Sequence, residues 1–155
     1  VKNELHWANY ILGVLEQLQM EGFHIPSFKM AFGGDIPIGA GLSSSAALEC
    51  GVGLALNTLL DLDIDRIKLA KIGQAAEHKF VGVNCGIMDQ MVSASGRQGH
   101  AMFLDCQSLE ATDVPVPDRK PERTGPLSNA VCRSCVPACP HAKSTQYAPA
   151  RQARR

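Results

Sequence analysis

From Glu4 to Met20 the apolar residues Ala8, Ile11, Leu12, Leu15 and Leu18 recur at intervals of three and four, which predicts one amphipathic helix stopped by Gly22. Phe28, Met30 and Phe32 then alternate with Lys29 and Ala31, the period of a strand with one more buried face, leading directly into Gly33-Gly34-Asp35. The segment Ser43 to Leu60 opens with three serines and continues apolar almost all round, predicting a buried helix with a serine start. Asp61 to Asp65 supply a cap for a further helix over Arg66 to Lys79, with Glu77 in its last turn. After a loop from Val81 to Gly86, a short helix is expected around Ile87 to Ala94, ended by Gly96, and His100 to Asp105 reads as a returning strand. Irregular alternation of strands and helices supports α/β or α+β and nothing narrower.

The last 44 residues break this pattern. They hold seven of the nine prolines, a single aromatic residue and no periodic run, too little apolar burial to offset the entropy of ordering the chain. Charge divides at the same place: residues 1–111 carry 7 Lys/Arg against 12 Asp/Glu, and residues 112–155 carry 8 against 3, although the whole chain is formally neutral. Two parts are therefore expected, a folded domain over 1–111 and a Pro/Arg-rich tail over 112–155, disordered or the product of a shifted reading frame. At 155 residues, 45% hydrophobic and 19% charged, the composition is that of one soluble globular domain. No run approaches the ~18 apolar residues of a membrane span, and Val1-Lys2-Asn3-Glu4 lacks a secretory layout, so a cytoplasmic protein with reduced thiols is expected. The chain starts in mid-pattern, as though cut from something longer.

The chemistry concentrates in Asp35-Ile36-Pro37-Ile38-Gly39-Ala40-Gly41-Leu42-Ser43-Ser44-Ser45-Ala46-Ala47-Leu48-Glu49, between a predicted strand and a predicted helix. Glycines let the backbone approach a ligand, and the first helix amides lack internal partners, so such a loop suits phosphate. Serine hydroxyls add oxygen ligands for a phosphate-bound magnesium ion. The loop is not G-x-x-x-x-G-K-[ST], because no lysine occurs between Lys29 and Lys68, and Ser44 stands where a dinucleotide fingerprint needs its third glycine. An ordinary strand-to-helix turn with capping serines remains the alternative for the loop taken alone.

The full string resembles the second signature motif of the GHMP kinases, and within them the galactokinases. Ala76-Glu77-His78-Lys79-Phe80-Val81-Gly82-Val83-Asn84-Cys85-Gly86-Ile87-Met88-Asp89-Gln90 is similar to the galactokinase segment with the catalytic aspartate, and Leu104-Asp105-Cys106-Gln107-Ser108-Leu109 continues it. The resemblance covers roughly residues 3 to 110 and implies an α+β fold, part of a GHMP kinase amino-terminal domain of the ribosomal protein S5 domain 2-like type. It implies ATP-dependent phosphorylation of galactose to galactose 1-phosphate, with ATP and Mg2+ as cofactors and a monomeric parent enzyme. Gly39, Ala40, Gly41, Leu42, Ser43, Ser44 and Ser45 would hold the ATP phosphates, and Ser45 and Glu77 the magnesium. Asp89 would be the catalytic base beside the anomeric hydroxyl, and the backbone of Cys85 and Gly86 would touch the sugar. His78 receives no role, and Met88 and Met91 are expected to fill core space.

Galactokinases are two to three times longer, and their upstream sugar-recognition segment and third, glycine-rich motif have no counterpart here. The resemblance therefore implies a fragment not competent alone. Other readings are another GHMP small-molecule kinase, a noncatalytic sensor that binds galactose and ATP, and a truncated chain without a stable fold. In the tail, Pro115, Pro117, Pro121 and Pro126 interrupt any strand reading. Cys132, Cys135, Cys139 and His141 form a weak zinc pattern without a supporting core, and Arg151, Arg154 and Arg155 are poor grounds for nucleic-acid binding.

Overall fold

The computed structural model describes residues 2–37 and 41–116, together with the main chain of 130–132. Its elements follow the order α1 (Ala8–Met20), α2 (Ser44–Leu59), α3 (Arg66–Ala75), a π-helical turn (Ala76–Val81), α4 (Met88–Ser95), β1 (His100–Leu104), β2 (Ala111–Pro115) and β3 (Ala130–Cys132). Gly39 and Ala40 of the candidate loop fall outside the described residues, as do Cys135, Cys139, His141 and the terminal arginines.

Helices α1, α2 and α3 enclose one apolar cluster of Val14, Leu18, Val52, Leu56, Ile64, Leu69, Ile72 and Ala76. Ile11 and Leu15 pack against its edge. Leu18 of the stripe its spacing marks is fully buried, and the rest of the fully buried surface of α1 is turned to one side of that stripe, toward Asn9, Gly13, Val14 and Gln17. The cause is a close approach: a Cβ on Gly13 would lie 2.9 Å from Ala76 Cβ and 3.1 Å from Phe80 Cβ, so the π-helical turn sits directly on α1 at this glycine. Gly22 ends α1 with φ of +91°, as its position predicts. A second cluster, Cys50, Ala70, Ile87, Met91, Ala94, Met102 and Leu104, joins α2, α3 and α4 to β1, with Met88 packed against it.

Asp65 caps α3 by accepting from the Lys68 amide at 2.8 Å. Asn57 fixes the acidic connection from the other side, its amide donating to Ile64 O and its Oδ1 accepting from Ile64 N, both at 2.9 Å.

Three expectations are corrected. Phe28–Phe32 joins no ladder among the described residues: strand formation needs a hydrogen-bonded neighbour, and none of those residues provides one. Phe32 instead meets Trp7 edge-on, ring centroids 5.6 Å apart. Helix α2 is not buried all round, because Ala47, Gly51, Ala55 and Leu59 face an open apolar groove of about 1060 Å³ shared with Phe28, Met30 and Phe32. Pro115 does not interrupt a strand but ends one. β2 pairs antiparallel with β1 from Leu104 opposite Ala111 to His100 opposite Pro115, and lies at the sheet edge, where proline is tolerated. The turn between them is built by Asp105, whose Oδ1 accepts from the amides of Gln107 at 2.8 Å and Ser108 at 3.3 Å. β3 lies parallel to β1 on its other side. Among the described residues no helix is long and apolar enough to cross a membrane.

Candidate active site

Helix α2 begins at the candidate loop. Gly41 and Ser43 both take positive φ, +70° and +56°. Ser43 occupies the N-cap position without making a side-chain cap bond, so the serine-cap expectation fails there. A left-handed conformation is uncommon for a residue other than glycine and asparagine, and it departs from the extended backbone from which an N-cap hydroxyl ordinarily reaches the helix amides. Ser43, Ser44 and Ser45 are all partly exposed, as is Leu42.

One turn after Ser45 the same helix buries Glu49, 1% exposed. Its carboxylate meets two other buried polar side chains, Glu77 of the π-helical turn (5% exposed) and Gln90 of α4 (0%). Gln90 Nε2 donates to Glu77 Oε2 at 2.8 Å and to Glu49 Oε2 at 3.2 Å, with Cys85 Sγ at 3.7 Å. A single amide thus ties α2, the π-helical turn and α4 together. Gly73 of α3 makes room for it, since a Cβ there would come within 3.2 Å of Gln90 Cγ and 3.4 Å of Glu49 Oε2.

Two carboxylates in so dry a place cannot both ionise cheaply. Burial, followed by the Glu77 charge, pushes Glu49 from 4.5 up to about 8, although the Gln90 hydrogen bond opposes the shift. Burial is also the main reason Cys85 is pushed up to about 12, with Glu77 next, and Cys50 likewise reaches about 12 through burial and then Glu49. Neither thiol is a nucleophile at neutral pH. The Tyr10 hydroxyl on α1 is raised by burial and then by Glu77 and Glu49, so the first helix also feels this charge.

Asp89 sits in the first turn of α4, half-buried, next to Gln90. Among the described residues no hydrogen bond or ion pair engages its carboxylate, which leaves it available to a ligand. The structure therefore brings the turn carrying Asp89 against Glu77 through Gln90, and sets Ser45 one turn from Glu49. Cys85 and Gly86 lie in the loop just before α4, where His78 Nε2 contacts Cys85 O at 2.8 Å and Cys85 N at 3.1 Å. Among the described residues no three His, Cys, Asp or Glu side chains cluster as a metal cage.

Gln90, Glu49 and His78 are the site residues that sequence reasoning left without a role. Glu49 carried a signal, a lone acid inside the apolar run Ala46 to Leu56. Gln90 and His78 carried none beyond lying within the quoted string.

The model of the GHMP kinases N terminal domain matches residues 9–97, more than half of the chain. The chain belongs to the GHMP kinase family. A similar solved structure is the galactokinase of Lactococcus lactis complexed with galactose, 38% identical with a TM-score of 0.68. The match covers 76% of this chain and 31% of that one, so the chain spans about a third of the galactokinase it resembles. The fold is accordingly α+β, that of a GHMP kinase amino-terminal domain.

Proposed function

We propose that the protein carrying this chain transfers the γ-phosphoryl group of ATP to the anomeric hydroxyl of galactose. The observation that carries the reading is the 2.8 Å bond from Gln90 to Glu77, which seats the turn bearing Asp89 against a buried acid, while the same amide reaches Glu49 of α2 at 3.2 Å. The Lactococcus lactis enzyme, similar over three quarters of this chain, was solved with galactose bound, which supports a sugar as acceptor.

In this reading Gly39 to Ser45 hold the triphosphate with backbone amides and serine hydroxyls. The hydroxyl of Ser45 and the carboxylate of Glu77 are hard oxygen donors, and a magnesium ion that retains phosphate and water ligands needs only one or two groups from the protein, so the donor set fits. Magnesium held there would neutralise charge on the phosphate oxygens. The Asp89 carboxylate takes the proton of the anomeric hydroxyl as its oxygen bonds to the γ-phosphorus. The bond from that phosphorus to the β–γ bridging oxygen breaks, and ADP leaves. The main chain at Cys85 and Gly86 lies against the sugar.

The test is turnover of the full-length protein carrying this chain, read as galactose-dependent ADP release. Asp89→Asn, which keeps the side-chain shape, should lower kcat by at least about a thousandfold while leaving the thermal midpoint within a few degrees. Turnover undiminished in that variant would remove Asp89 from the mechanism.

A further inference from the structure

The loop between the π-helical turn and α4 has little to hold it by itself. Gly82, Val83, Asn84 and Gly86 are exposed, and Gly82 takes φ of +89°. Nevertheless Cys85 is fixed from two sides. Its thiol lies against the acid cluster, 3.7 Å from Gln90 Nε2. Its peptide is clamped by two side chains spaced four apart on the continuous α3 and π-helical segment. Gln74 Nε2 donates to Cys85 O at 3.3 Å, and His78 Nε2 lies 2.8 Å from the same oxygen and 3.1 Å from the Cys85 amide.

The imidazole keeps one of these contacts in either tautomer: a protonated Nε2 donates to the carbonyl, and a bare one accepts from the amide. His78 itself is exposed, so it fills no core space and its removal leaves no cavity. An exposed ring whose main polar contact is the main chain of a glycine-flanked loop acts on the loop rather than on the fold. The π-helical turn accounts for its reach. By widening the helix after Ala75 it carries Glu77 inward to Gln90 and leaves His78 facing Cys85, while Glu77 O accepts from both Gly82 N at 2.8 Å and Val83 N at 2.9 Å.

We propose that His78 is a positioning residue for the acceptor: it holds the Cys85–Gly86 main chain in the one conformation that fits the sugar ring. This rests on the sugar-kinase reading above. His78 touches neither phosphate nor the transferred group, so its loss acts on the sugar and not on ATP.

The experiment measures kcat and KM for galactose and for ATP in the full-length protein, in His78→Ala and in His78→Gln, whose amide nitrogen reaches the position of Nε2. His78→Ala should raise the galactose KM roughly tenfold, with the ATP KM changed less than about twofold and kcat less than about threefold. His78→Gln should return the galactose KM to within about threefold of the parent. If His78→Ala does not fold, Gln74→Ala, which removes the other donor to the same carbonyl, must show the same selective rise. An unchanged galactose KM, equal rises for both substrates, or a glutamine variant as impaired as alanine would overturn the positioning role alone. A parent protein without galactose-dependent ADP release would instead overturn the kinase reading, and this inference with it.

Discussion

At the scale of the residue, the side chains that organise the site are those least visible in the sequence. Asp65 was legible because a helix cap is a local event, with donor and acceptor three residues apart. Gln90 was not, because its two carboxylate partners lie 41 and 13 positions away and only packing of α2, the π-helical turn and α4 brings them together. The same packing makes Glu49 a titrating group of the fold. Its folded value of about 8 lies above its ordinary 4.5, so between those values the folded state keeps a proton that the unfolded state has lost. Stability from this group is complete below about pH 4.5 and is lost as the pH rises toward about 8. Thermal melts from about pH 5 to about pH 8 should therefore show the parent chain losing stability that Glu49→Gln retains, the variant being the more stable at the alkaline end. Curves that stay parallel would mean that Glu49 does not hold a proton in the fold.

At the scale of the element, helices were legible and the extended segment was not. All four helices were legible, α1 from an apolar face recurring at three and four residues, α2 from an apolar run behind its serines, α3 from its aspartate cap and α4 from the loop before it and the glycine after it. Phe28–Phe32 carries strand alternation just as plainly, yet a strand exists only beside another, and that neighbour is not in the pattern. The π-helical turn was missed because its one extra residue per turn leaves the apolar spacing of Ala76 and Phe80 compatible with an ordinary helix. Its packing on α1 gives a sharp test at Gly13. Alanine there gains up to about 1 kcal/mol in helix propensity, but a methyl group placed 2.9 Å from Ala76 Cβ must push the helices apart at a cost of about 1–3 kcal/mol. Gly13→Ala should therefore lower the thermal midpoint by several degrees, and Ala76→Gly in the same chain should recover part of the loss. A midpoint that rises in the single variant would show that propensity outweighs the clash.

At the scale of the whole molecule, the α+β architecture and the family were legible because the glycine-serine string and the segment around Asp89 are long enough to be specific. What lay beyond reach was the surface those elements leave open. The groove beside α2, lined by Phe28, Met30, Phe32, Ala55 and Leu59, looks in sequence like ordinary buried pattern, and only the arrangement of elements shows that it faces outward. The sheet likewise extends further than proline content allowed, because Pro115 stands on an edge strand. The central claim, however, concerns chemistry: that this domain serves phosphoryl transfer to the anomeric oxygen of galactose. Its most direct test is phosphorus NMR of the full-length protein incubated with ATP, magnesium and galactose. The account predicts a new phosphomonoester resonance coupled to the anomeric proton, formed in step with ADP and absent with Asp89→Asn. Binding of both ligands with no phosphoester formed, or a phosphoester at another sugar position, would contradict it.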